Sequence, residues 1–180
     1  MNITNTFINI CINLTIKEII NCELISKFHH NVIRNHHWNN LTIKPSQKNY
    51  EYVLKNYQFK NVSLSGLNIS NESVQYLEKC DTLYLNHTNI TDSMVCRLNK
   101  CKKLDLDSCM NITDKSIQYL GKCDELSLVG CNVTNESMRY LSECHSLNIN
   151  CCKKLTDEGI KYLSKCNELC LGYNDKLIIF

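Results

Sequence analysis

Thirteen cysteines in 180 residues are the side chains with the most chemistry to offer. At this density thiols pair as disulfides, hold a metal, or, when one is activated, attack an electrophile. Spacing separates these cases. Zinc sites want Cys-x₂₋₄-Cys knuckles. This chain instead offers Cys101/Cys109, Cys123/Cys131 and Cys144/Cys152, each a Cys-x₇-Cys pair, and one vicinal pair, Cys151-Cys152. A disulfide framework belongs to secreted chains. The opening Met1-Asn2-Ile3-Thr4-Asn5 has neither the basic segment nor the unbroken apolar stretch of a secretory leader. The cysteines are therefore expected to be reduced and structural. His29-His30 and His36-His37 sit seven residues apart, which is roughly 10 Å along a helix. That is too far for one ion, so they read as polar positions. No Ser/His/Asp set, phosphate loop or metal knuckle stands in a fitting context, and five glycines leave few phosphate-cradling loops. The sequence points to a non-enzyme that needs no cofactor.

The cysteines are instead the punctuation of a repeat. Cys80, Cys101, Cys123, Cys144 and Cys166 are spaced 21, 22, 21 and 22 residues apart. Each opens one frame. Cys101-x-x-Leu104-x-Leu106-x-x-Cys109, Cys123-x-x-Leu126-x-Leu128-x-x-Cys131 and Cys144-x-x-Leu147-x-Ile149-x-x-Cys152 are three copies. Cys80-x-x-Leu83-x-Leu85-x-x-Thr88 and Cys166-x-x-Leu169-x-Leu171-x-x-Asn174 end on a different residue. A further copy, Phe59-x-x-Val62-x-Leu64-x-x-Leu67, precedes them. The frame predicts five full repeats and one partial.

Each unit needs a strand, a turn and a short helix. The Leu-x-Leu pair has period two, so it is a strand with both leucines on one face. Ile69-Ser70-Asn71, Ile90-Thr91-Asp92, Ile112-Thr113-Asp114, Val133-Thr134-Asn135 and Leu155-Thr156-Asp157 then carry a helix-start signal. Val74/Leu77, Val95/Leu98, Ile117/Leu120, Met138/Leu141 and Ile160/Leu163 give each helix one buried stripe. No unit can bury its leucines alone; stacking lets neighbours do so. Cys109, Cys131 and Cys152 occupy an inward site after the strand, beside Leu67, Thr88 and Asn174, where a small hydrophobe with a weak S–H donor can bond the next coil's backbone.

The Cys-x-x-Leu-x-Leu-x-x-Cys frame followed by Ile/Val-Thr-Asp/Asn resembles the cysteine-containing subtype of leucine-rich repeats, common in F-box proteins, over residues 59–174. The resemblance implies an α/β leucine-rich-repeat solenoid: a horseshoe arc with parallel strands on the concave face and short helices on the convex face. A small α-helical N-terminal segment precedes it. The abundance of Asn, Ile and Lys resembles proteins of amoebae and large DNA viruses.

The first 58 residues do not repeat. Ile16, Ile19, Ile20 and Leu24 fit a helical stripe, which Ile25, Phe28, Val32 and Ile33 extend. Residues 14–28, with Ile25-Ser26-Lys27-Phe28 and then Trp38-x-x-Leu41, resemble the second half of an F-box. The Leu-Pro opening of that motif is missing. The resemblance implies a Skp1-type adaptor as partner, docked on Ile16, Ile19, Ile20, Leu24 and Phe28. The alternative is a helical cap, which a solenoid end requires in any case. The expected division is an F-box-like segment over 1–43, a connector over 44–58 with a tyrosine-rich helical stretch from Tyr50 to Tyr57, and repeats over 59–180.

Strand residues between and beside the leucines point away from the core. They form a grid that includes Tyr84, Asn86, Lys103, Asp105, Asp107, Glu125, Ser127 and Asn148. Asp105, Asp107 and Glu125 are expected to form an outward acidic centre beside Lys103. Tyr84 is the candidate aromatic anchor. Tyr76, Tyr119, Tyr140 and Tyr162 are expected to cover the core's edge on the helix side. Net charge is +2 with both signs interspersed, so no nucleic-acid stripe is expected. No apolar run is long enough to span a membrane. Two readings remain. One is the substrate receptor of a Skp1–cullin–F-box ubiquitin ligase, intracellular, holding an unknown protein on the concave face. The other is a free-standing interaction module whose N-terminus is only a cap.

Overall fold

A computed structural model describes residues 15–23, 26, 31–34 and 36–177. Among these, seven strands form one parallel sheet in sequence order: β1 (His37–Ile43), β2 (Gln58–Ser63), β3 (Thr82–Tyr84), β4 (Lys103–Asp105), β5 (Glu125–Ser127), β6 (Ser146–Asn148) and β7 (Glu168–Cys170). Residues 31–34 are helical, and the longer or repeat helices are α1 (Ile16–Glu23), α2 (Tyr50–Asn56), α3 (Val74–Leu77), α4 (Asp92–Val95), α5 (Asp114–Ile117), α6 (Asn135–Met138) and α7 (Asp157–Ile160). A helix of four residues is too short to stand alone. Here a 3₁₀ turn extends three of them, over Cys96–Leu98, Arg139–Leu141 and Lys161–Leu163. Those turns carry the second residue of the predicted stripe. Val95, Leu98, Met138, Leu141 and Leu163 are all buried, while Ile160 of the last coil is half-buried.

The sheet is in register through its leucines. Val62, Leu83, Leu104, Leu126, Leu147 and Leu169 pair in succession. The ladder continues past the strands: Leu64 N–H donates to Tyr84 O at 2.8 Å, and Gly66 N–H to Asn86 O at 2.9 Å. To keep that spacing the chain turns through the left-handed region once per coil, at Gly66, His87, Ser108, Gly130, Cys151 and Tyr173, with φ between 57° and 73°. Only two of these six are glycine, so four coils adopt a conformation that L side chains disfavour. The backbone bonds of the stack impose it.

The inward cysteines make two columns. In one, Cys80, Cys101, Cys123 and Cys144 are buried and Cys166 half-buried, continuing a column that starts with Trp38 and Phe59. In the other, Cys109, Cys131 and Cys152 donate to Leu85 O, Leu106 O and Leu128 O at 3.1, 3.1 and 3.2 Å. Those carbonyls belong to the preceding coil, not the following one, as the sequence reading had it. Asn174 does the same toward Ile149 O at 3.0 Å.

A second cross-coil link was half visible in the sequence. Thr113 and Thr134 do cap their helices, accepting from Lys115 N and Glu136 N at 3.4 and 3.3 Å. Asp92, Asp114 and Asn135, each following a threonine at this step, bind the next coil instead. Asp92 takes Thr113 N, Thr113 Oγ1 and Ser116 Oγ at 2.9, 2.6 and 2.7 Å. Asn135 plays this part toward Thr156 N at 2.9 Å. There a Cβ on Gly159 would stand 2.5 Å from Asn135 Oδ1, so glycine is what lets α7 approach.

The sheet begins earlier than the repeat frame. Residues 37–43, assigned to the helical segment from sequence, are β1, and Trp38 pairs with Phe59. Trp38-x-x-Leu41 is therefore strand rather than the closing step of a helical motif. The spacing 44–58 belongs to the same coil, with Tyr50, Val53 and Leu54 of α2 buried. The reason is core continuity: Trp38, Ile43 and Pro45 are all buried against the next coil.

Candidate binding surface

The outward positions of the strands line up in columns. Thr82, Lys103, Glu125 and Ser146 are neighbours across β3 to β6, and so are Tyr84, Asp105, Ser127 and Asn148. Tyr84, Asn86, Lys103, Asp105, Asp107, Ser127 and Asn148 are half-buried, and Glu125 is exposed. Every predicted concave residue thus lies on one face, above alternating leucines that fill the core.

The acidic centre differs from the outward trio expected. Glu125 is ion-paired with Lys103 on the adjacent strand, and that bond raises the Lys103 ammonium above its usual range. Asp107 is a brace for β5: its Oδ1 accepts Val129 N–H at 2.9 Å and the Ser127 hydroxyl. Asp105 Oδ1 accepts Asp107 N–H at 3.0 Å. Partial burial, with the nearby Asp107 charge, raises the Asp105 carboxyl above the ordinary range despite that bond. The physical reason is geometric. Carboxylates on adjacent parallel strands lie close enough to reach a neighbour's backbone, and a half-buried charge seeks such donors. What the face offers a partner is Tyr84, the amides of Asn86 and Asn148, the Ser127 region and the Asp105 carboxylate.

Asn86 is itself anchored, its Oδ1 taking the Ser65 hydroxyl, while Ser65 and Ser63 share a bond at 3.2 Å. Asn148 Oδ1 accepts Asn150 N–H at 3.2 Å. On the opposite side Tyr119, Tyr140 and Tyr162 are 45%, 38% and 52% exposed, so they cover less of the core than expected; only Tyr76 packs against it.

At the N-terminal end, Thr15 and Glu18 cap α1 reciprocally, with Thr15 N to Glu18 Oε2 at 2.8 Å and Glu18 N to Thr15 Oγ1 at 3.4 Å. Of the adaptor candidates, Ile19 is 1% exposed and Ile20 is half-buried against the core. Leu24 and Phe28, and the side chain of Ile16, lie outside the described residues. Ile19 therefore serves the solenoid rather than an outer surface.

The model of a leucine-rich repeat matches residues 145–164. Two solved structures are similar over most of the chain. An internalin from Listeria monocytogenes matches at 16% identity with a TM-score of 0.58, over 83% of this chain and 44% of its own. The TLR13–ssRNA13 complex matches at 17% identity with a TM-score of 0.53, over 74% of this chain and 25% of its own.

The chain has the fold of a leucine-rich-repeat solenoid.

It spans less than half the length of either structure. No curated protein matches it. Among the described residues, no helix of the solenoid is long and apolar enough to cross a membrane.

Proposed function

We propose that this solenoid is a non-catalytic protein-binding module and that its concave face holds the partner. The observation that carries the reading is the alignment of Tyr84, Asp105, Ser127 and Asn148 in one column of a rigid parallel sheet. Rigid strands present an aromatic, a carboxylate and amides at fixed spacing, which lowers the ordering cost of binding. Asp105 favours a partner segment with cationic or N–H donors.

The finer reading makes the module a substrate receptor of a Skp1–cullin–F-box-type ligase, intracellular, with the first segment docking the adaptor. The helical state of α1 favours it. The burial of Ile19 favours the cap instead. Calorimetry of the full chain against purified Skp1 separates the two. No heat at about 100 μM protein, where a −5.5 kcal/mol interaction would register, leaves the cap reading.

The binding face is tested by placing a photo-cross-linking amino acid at position 84 or 148, and at 119 or 162 as controls, in source cells. One recurrent protein adduct from the first pair and none from the second supports the reading. Adducts from 119 or 162 alone contradict it.

A further inference from the structure

Where α2 returns into β2, a cavity of about 320 Å³ opens between the first two coils. It lies at the entry end of the strands and shares no residue with the concave column described above. Its floor is apolar: Leu54, Tyr57, Phe59 and Cys80 are buried. Its rim carries Arg34, Lys55, Lys60 and Lys79, and no Asp or Glu is among the described residues that line it.

The four cations come from four separate segments: residues 31–34, α2, β2 and the turn after α3. A solvated basic face spreads its charges along one element. Here the fold gathers them around one volume, where like charges repel. Two are already oriented. The Arg34 guanidinium donates to Asn56 Oδ1 at 2.5 Å and to the Tyr52 hydroxyl at 3.1 Å, and sits 5.9 Å from the Tyr57 ring centroid. Lys60 Nζ donates to Lys79 O at 2.9 Å, with the Asp81 carboxylate 3.5 Å away at the edge. Asp81 offsets one of the three lysine charges.

We propose that this cavity binds a phosphate monoester, with the phosphate among Lys55, Lys60, Lys79 and Arg34 and its organic group over the Tyr57–Phe59 floor. Size agrees, since small-molecule sites begin near ~300 Å³. Charge selects the class. A phosphate monoester brings about −1.5 to −2 and three acceptor oxygens, enough for several donors at once. A carboxylate brings one charge, which a single forked arginine satisfies. The ester can be a phosphorylated protein side chain or a free small molecule; both present the same group to the same rim.

The test titrates the full chain with phenyl phosphate, benzoate and a phosphotyrosine pentapeptide by calorimetry. The variant is Lys55→Glu with Lys79→Glu, two exposed positions, and a circular-dichroism melt checks its fold. Phenyl phosphate should bind saturably and more tightly than benzoate. The double variant, and added salt, should each weaken it by about tenfold or more, because the attraction is largely exposed charge. A tighter peptide assigns the site to a phosphorylated protein, and a tighter phenyl phosphate assigns it to a small molecule. The proposal is overturned if neither ligand saturates by about 10 mM, if benzoate binds equally well, or if the variant binds unchanged. Should the double glutamate fail to fold, Lys55→Gln with Lys79→Gln is read by the same titration.

Discussion

Thr134 holds Asp114 of the preceding coil by two bonds, its N–H to Oδ1 at 2.8 Å and its hydroxyl to Oδ2 at 2.7 Å. Burial alone would raise the Asp114 carboxyl. The bonds from Ser137 and Thr134, with Lys154 nearby, outweigh it and hold the group below the ordinary carboxylate range. A carboxyl depressed in the folded state contributes stability that is present above its unfolded pKa, about 3.9, and is lost as pH falls through the folded value. Asp114→Ala should therefore destabilise by about 1–3 kcal/mol at pH 7. The deficit should shrink as pH drops below about 4. Thermal melts of both proteins across that range check it; a constant deficit contradicts the assignment.

The left-handed residue in each coil gives a prediction of opposite sign. Ser108 has φ 58° and Gly130 has φ 69° at equivalent turns. Ser108→Gly removes backbone strain at a modest entropic cost and should stabilise by about 0.5–1 kcal/mol. Gly130→Ala should destabilise by about 1 kcal/mol. Urea melts of the pair decide it, since the shared turn geometry requires the two changes to move stability in opposite directions.

Burial pushes the thiols of Cys80 and Cys101 up to about 12 and those of Cys144 and Cys152 up to about 11, and raises Cys123 and Cys131 as well. Thiolate is the reactive species. Labelling of the native chain at pH 8 should modify exposed Cys170 first and half-buried Cys96 next. Cys101, Cys123 and Cys144 should wait for unfolding. Mass spectrometry of labelled peptides over time shows the order, and early modification of Cys123 would contradict the inward column.

Most of the solenoid was legible in the sequence because burial repeats. Every coil from Phe59 onward places an apolar residue at the same two strand positions, so the 21–22 residue period appears as letters. The first coil keeps the burial but not the spacing. Trp38 pairs with Phe59 and Ile43 with Val62, so five residues separate the first pair's positions on β1 where three do on β2. Pro45 then stands two past Ile43, as Leu64 stands two past Val62. A bulge and a proline hide a coil that packing makes plain. The concave residues were also found by alternation alone. Their bonds were not, because Asp107 and Val129 are neighbours only across strands, 22 residues apart.

Those bonds separate two aspartates that alternate on one strand edge. Asp107→Asn should destabilise, by about 1–2 kcal/mol, because the brace to Val129 N–H and the Ser127 hydroxyl loses its charge. Asp105 behaves otherwise. Its carboxyl is raised in the fold, so its contribution to stability is full below the unfolded pKa and is lost as pH rises through the folded value. Asp105→Asn should leave the melting temperature at pH 7 unchanged or higher. Differential scanning calorimetry of the single variants resolves the two, and a lower melting temperature for Asp105→Asn alone would contradict the difference.

The claim that the concave column does the binding is tested most directly by the affinity of the partner captured at position 84. Tyr84→Ala and Asp105→Asn, measured by calorimetry against that purified partner, should each weaken binding by about tenfold or more. Tyr162→Ala on the opposite face should leave it within about twofold. Equal affinity for wild type and both concave variants, with folding intact, would contradict the account.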